Sequence, residues 1–149
     1  MGKLLRLMTG AAALFAIAMV GGCADDFSDA SKTQFTATLA AANEVPPVTA
    51  EGEGTGQFAL DKTTKVLKWK VKYHDLSGPA TAAHFHGPAT INISAGVVLP
   101  IAVGPSPLEG QAKLTDAQIA DLMAGKWYVN IHTAKNKGGE IRGQVVMAK

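Results

Sequence analysis

The clearest regularity along the chain is the alternation over residues 66–73, where Leu67, Trp69, Val71 and Tyr73 take odd positions and Lys68, Lys70 and Lys72 even ones. A period of two sends successive side chains to opposite faces, so this stretch predicts a strand with one buried and one solvated face. The lysines read as that solvated face in preference to a basic patch. Alternation over Phe35, Ala37 and Leu39 predicts an earlier strand. Asn43-Glu44-Val45-Pro46-Pro47 stops it, since neither proline can donate to a ladder. Glycines at 52, 54 and 56 open a second strand carrying Phe58 and Leu60, and Asp61-Lys62-Thr63-Thr64 turns it into the lysine strand.

Further strands are predicted over 80–86, 96–103, 108–114, 126–132 and 140–147. Gly87-Pro88 ends the first of these, Pro100 breaks the second, and Ile141, Val145 and Met147 face inward in the last. Residues 89–96 and 133–139 should be loops. One helix interrupts the pattern. Thr115 and Gln118 have the spacing of a capping box, Leu114 and Ile119 that of a hydrophobic staple, and Gly125 sits where a left-handed C-terminal cap is wanted. Ile119, Leu122 and Met123 form its narrow apolar stripe. Seven or eight short strands with one short helix predict an all-β fold, an antiparallel two-sheet β-sandwich of Greek-key, immunoglobulin-like or superoxide-dismutase-like type. Trp69, Tyr73, Phe85, Val129 and Ile131 share the parity of its interior.

The first 22 residues follow a different rule. Lys3 and Arg6 precede an almost unbroken apolar run from Leu4 to Val20, and the run closes on Val20-Gly21-Gly22-Cys23. That is the pattern of an export signal, and its last four residues match a bacterial lipoprotein cleavage site. Residues 1–22 are therefore expected to be a lipoprotein signal peptide, Cys23 the lipidated first residue of the mature chain, 23–33 a flexible tether and 34–149 a single β-sandwich domain. The expected location is the cell envelope, with the membrane reached through the N-terminal lipid. Ala24, standing where aspartate commonly retains lipoproteins at an inner membrane, points to the outer membrane in a Gram-negative source. Cys23 is the single cysteine of the chain, which excludes an internal disulfide. Loss of Lys3 and Arg6 leaves 12 basic against 12 acidic residues, so no nucleic-acid partner is expected.

Three of the four histidines fall in two short stretches, Ala83-His84-Phe85-His86-Gly87-Pro88 and Asn130-Ile131-His132-Thr133. On strands, His84 and His86 lie opposite Phe85, and Tyr128, Asn130 and His132 lie opposite Val129 and Ile131. Such a face can present imidazoles to a metal. It can equally present polar residues that brace the neighbouring loops.

Together with Asn43-Glu44-Val45-Pro46-Pro47, Gly125-Lys126-Trp127-Tyr128-Val129 leading into Asn130, and Gly139-Glu140-Ile141-Arg142-Gly143-Gln144, these stretches resemble the chordin-domain (CHRD) family in order and rough spacing over about 35–146. The resemblance implies a β-sandwich in an extracytoplasmic setting and no established activity. It places both histidine clusters among the characteristic positions, with Glu44, Asn130, Glu140 and Arg142. Arg142 paired with a carboxylate at a loop junction would be a structural clasp. The arrangement is also loosely similar to copper-zinc superoxide dismutase. That enzyme's full site takes six histidines and an aspartate, and between His86 and His132 this chain has no histidine, so dismutase activity is not expected.

Two functions follow. One is a metal-binding envelope lipoprotein in which His84, His86 and His132 hold Cu(II) or Zn(II), with His74 or Glu140 as an accessory ligand. A methionine-rich Cu(I) store is excluded, because only Met123 and Met147 remain after cleavage. The other is a structural or adhesive module binding a protein or glycan without metal. Enzymatic activity is not expected, as Ser94 and Ser106 lie in no activating motif and no carboxylate pair is placed for acid–base work. The lipid anchor is directly testable. Cys23→Ser should move the expressed protein from the membrane to the soluble export fraction, and unchanged membrane association in that variant would disprove the anchor.

Overall fold

The computed structural model describes residues 26–149 and confirms an all-β antiparallel fold with one short helix. The expected signal peptide, its expected cleavage site and Cys23 lie outside the described residues. In chain order the strands are β1 (Thr33–Ala40), β2 (Glu53–Asp61), β3 (Val66–His74), β4 (Ala80–His86), β5 (Val97–Ile101) and β6 (Leu108–Lys113). Helix α1 (Asp116–Met123) follows, then β7 (Trp127–Thr133) and β8 (Ile141–Met147). Residues 26–32 form turns against the sheet, where Asp26 pairs with Lys32 and, at 2.6 Å, with Lys68.

The strands form one curled sheet in the order β5-β4-β7-β8-β1-β2-β3-β6, and its edges β5 and β6 approach each other without a ladder. The expected pair of sheets is thus a single, nearly closed one. The reason is β8, which pairs with β7 on one side and β1 on the other and so joins the two halves of the chain. Pro100 ends up on edge strand β5, where its missing N–H costs no ladder bond, and the strand continues through it. Met147, expected inside, is exposed: β7 ends its pairing at Val145, and the end of β8 beyond it is paired by β1 alone.

The core is built around Phe85. Its ring lies 5.6 Å from Phe58, 5.3 Å from Trp69 and 5.8 Å from Trp127, with the first two meeting it edge-on. Two glycines make room for these rings. A Cβ at Gly56 would stand 2.3 Å from the Phe58 ring, and one at Gly110 would stand 2.6 Å from Trp69. The interior parity read from the sequence holds for Trp69, Phe85, Val129 and Ile131, all buried, while Tyr73 packs partly buried against the cluster. The helix keeps its capping box in both directions. Gln118 N–H donates to Thr115 Oγ1 at 3.2 Å, and Thr115 N–H donates to Gln118 Oε1 at 2.8 Å. Gly125 takes the left-handed φ of 68° that ends it.

Trp69→Ala removes a large side chain that is 6 % exposed and in contact with the central ring. The expected cost is about 3–5 kcal/mol, measured as a lower midpoint in urea unfolding with little change in slope. A variant as stable as the parent would contradict this packing.

Candidate metal centre

Strands β4 and β7 pair antiparallel with His84 opposite Asn130 and Ala82 opposite His132. Because Phe85 is fixed in the core, its neighbours His84 and His86 must emerge on the other face. Val129 and Ile131 do the same for Asn130 and His132. The rings of His84 and His132 lie 5.1 Å apart and those of His84 and His86 5.5 Å apart. Each histidine offers one nitrogen within 4.8 Å of the other two. Among the described residues no other set of three histidine, cysteine or carboxylate groups is so placed.

The hydrogen bonds determine which nitrogens are free. His86 Nδ1 lies 2.9 Å from the Ala95 carbonyl and His132 Nδ1 2.9 Å from the Lys137 carbonyl. A carbonyl only accepts, so both Nδ1 atoms carry the proton. In the neutral ring each Nε2 then has a bare lone pair directed into the cluster. His132 Nε2 is 3.2 Å from His84 Nδ1. Burial depresses the pKa of His84, and charge on His132 and His86 lowers it further. Burial also depresses that of His86, against the raising effect of its bonds to Ala95 and Asn130. Both rings are therefore neutral at pH 7, as ligation requires.

The outer face is not the solvated surface that alternation suggests. Tyr128 and Asn130 are buried, and the loops 87–96 and 133–139 cover them. The Tyr128 ring stacks on His86 with centroids 4.8 Å apart and an interplanar angle of 1°, and the Arg142 guanidinium lies 4.0 Å over the Tyr128 ring. Arg142 donates from Nε to Glu44 Oε2 at 3.1 Å, from Nη1 to the Ile93 carbonyl and from Nη2 to Ser94 Oγ. It is the clasp anticipated for it, joining Glu44 to the loop that carries Ala95. Burial raises the Glu44 pKa, and the opposing pull of Arg142 and His132 does not cancel that rise.

His74 and Glu140 stand outside the cluster. Parity places His74 on the lysine face of β3, but four strands separate β3 from β4 in the sheet order. It is exposed and bonds to its neighbour Asp75 at 2.9 Å. Glu140 is fully buried and already saturated. It accepts from Ser77 N–H at 2.6 Å, Thr133 Oγ1 at 2.6 Å, Asn136 Nδ2 at 2.8 Å and the Ser77 hydroxyl. Its contribution is to hold the loop 133–139, and with it the Lys137 carbonyl, in place. The sequence placed Tyr128 on the histidine face but gave no sign of its stacking. The Ala95 and Lys137 carbonyls carry no side-chain signal at all.

Burial alone would raise the Glu140 pKa, but the bonds from Ser77, Thr133 and Asn136 outweigh it and lower the value from 4.5 to about 2. A depressed carboxylate stabilises the fold above its unfolded pKa, and that stabilisation is lost as pH falls from 4.5 towards 2. Glu140→Gln should therefore cost on the order of 3 kcal/mol at pH 7 and flatten the acid limb of the stability curve. Urea unfolding at pH 7 and pH 3 checks it, because a merely steric effect would be equal at both.

A family model described as the CHRD domain matches residues 35–145. No curated protein and no solved structure matches the chain.

Proposed function

The chain belongs to the CHRD domain family, and on that footing we propose that it is an exported, lipid-anchored protein binding one Cu(II) or Zn(II) ion through His84, His86 and His132. The observation that carries the metal reading is the convergence of three imidazole nitrogens within 4.8 Å, two of them on rings whose other nitrogen donates to a backbone carbonyl. Histidine ligands commonly hold their tautomer and ring orientation in this way. Neutral imidazoles suit both cations, and three of them leave a position for a further donor.

The anchor reading rests on Val20-Gly21-Gly22-Cys23 after the basic and apolar start, and gives a cell-envelope location, the outer membrane in a Gram-negative source. No helix among the described residues is long and apolar enough to cross a membrane.

A second reading has its own observation. The imidazole bonds to Ala95 and Lys137 also brace two loops, which is what a structural or adhesive module binding a protein or glycan would need. Bracing alone leaves unexplained why the free nitrogens face one another.

Titration calorimetry of the purified protein with Zn(II) and Cu(II) should show one site, lost in His84→Ala and in His132→Ala. Free metal at ~100 times its Kd should stabilise the parent by ~2.7 kcal/mol and neither variant. Protonated imidazole cannot ligate, and the depressed pKa values of His84 and His86 delay their protonation. Affinity should fall as pH drops through the imidazole range near ~6.5, because protonation of any one of the three ligands weakens the site. A parent protein with no heat of binding and no shift in stability would leave the bracing role.

A further inference from the structure

Resting on the metal reading, we propose that Asn130 is a ligand in its own right, its side-chain oxygen completing an N3O donor set with His84 Nδ1, His86 Nε2 and His132 Nε2.

Asn130 Oδ1 lies 3.1 Å from His86 Nε2 and 3.0 Å from His132 Nε2. Both nitrogens carry lone pairs, because the Nδ1 proton of each ring is committed to a carbonyl. An amide oxygen is also an acceptor only. Three acceptors at hydrogen-bonding distance repel one another unless something positive lies among them. His84 Nδ1 extends the set, 3.2 Å from His132 Nε2. The successive separations of 3.2, 3.0 and 3.1 Å have the size an ion imposes. With bonds of ~2.0–2.1 Å, adjacent donors stand about 2.9 Å apart around a square ion and about 3.3 Å apart around a tetrahedral one.

The amide can instead be imagined turned over, with its NH2 donating to both Nε2 atoms. One feature opposes this. The turn would bring the amide oxygen towards Glu44. A Cβ on Gly139 would stand 2.9 Å from Asn130 Nδ2 and 2.3 Å from Glu44 Oε1, so both atoms border the space that this glycine leaves. Glu44 Oε1 is buried without a hydrogen-bond partner. A carboxylate oxygen there attracts the NH2 end of the amide and repels the oxygen end. The orientation that directs Oδ1 at the histidines is the one this charge favours.

Asn130 is also rigidly held. It is 2 % exposed, lies in the middle of β7, and is paired with His84 on one side and Arg142 on the other. A donor fixed in this way needs no reordering when the ion arrives.

The experiment titrates Zn(II) into the parent, Asn130→Ala and Asn130→Asp, and follows the Asn130 side-chain amide of the parent by NMR. Asn130→Ala should weaken binding at least ~10-fold, the lower end of the effect even of residues that only orient ligands. Asn130→Asp, which keeps the oxygen and adds a charge, should bind more tightly than the parent. The parent's amide signals should shift on loading. An Asn130→Ala protein that binds as tightly as the parent or more tightly, or amide signals unmoved at saturation, would overturn the proposal, and the NMR measurement decides it even if the alanine variant does not fold. A parent that takes no Zn(II) brings down the metal reading and this one together. A parent whose site is lost with His84→Ala but kept with Asn130→Ala brings down only this one.

Discussion

The position of one aromatic ring governs the rest of the molecule. Phe85 is enclosed by Phe58, Trp69 and Trp127, and a strand residue so held cannot turn to the other face without emptying the core. Its two neighbours in the chain are histidines, and they inherit the opposite face by geometry alone. Ladder pairing with β7 carries the constraint across, setting Phe85 against Val129 and His84 against Asn130. The apolar interaction thus sets the register, and the register aligns the imidazoles.

A second layer fixes what register leaves open. Strand pairing sets where a Cβ lies but not how an imidazole turns. The Ala95 and Lys137 carbonyls set that turn, and two buried polar groups hold the loops that bring them. Arg142, paired with Glu44, grips Ile93 and Ser94 beside Ala95, and Glu140 grips Ser77, Thr133 and Asn136 around Lys137. Each buried charge is compensated, by an opposite charge for Arg142 and by neutral donors for Glu140. That compensation is the condition for burying such groups without a large loss of stability.

Much of this was legible in the sequence, because period-two alternation reports directly on which face a side chain takes. Trp69, Phe85, Val129 and Ile131 were placed by parity alone, and so were the three histidines. Parity reports nothing about which strands become neighbours. His74 had the right face on the wrong strand, and the single curled sheet depends on β8 pairing both ways, which no local pattern encodes. Alternation also equates polar with solvated. In β7 that inference fails at Tyr128 and Asn130, which are covered by loops held through backbone carbonyls that any residue type would supply. Glu140 was visible as a distinctive carboxylate, but its saturation by three side chains, Ser77 from one segment and Thr133 and Asn136 from another, was not.

The histidine cluster has a consequence for when it can exist. His84 and His132 are 48 residues apart in the chain, and β5, β6 and α1 lie between the strands that carry them. In an unfolded chain the two halves are separate, and His84 with His86 is only a weak chelating pair. The cluster appears when β4 and β7 pair, a non-local step that closes a long loop. A chain threaded unfolded across a membrane therefore arrives without this site and forms it on the far side. If the proposed export and metal binding both hold, the ions within reach of the site are those of the compartment in which the chain folds, whatever the supply where it was made.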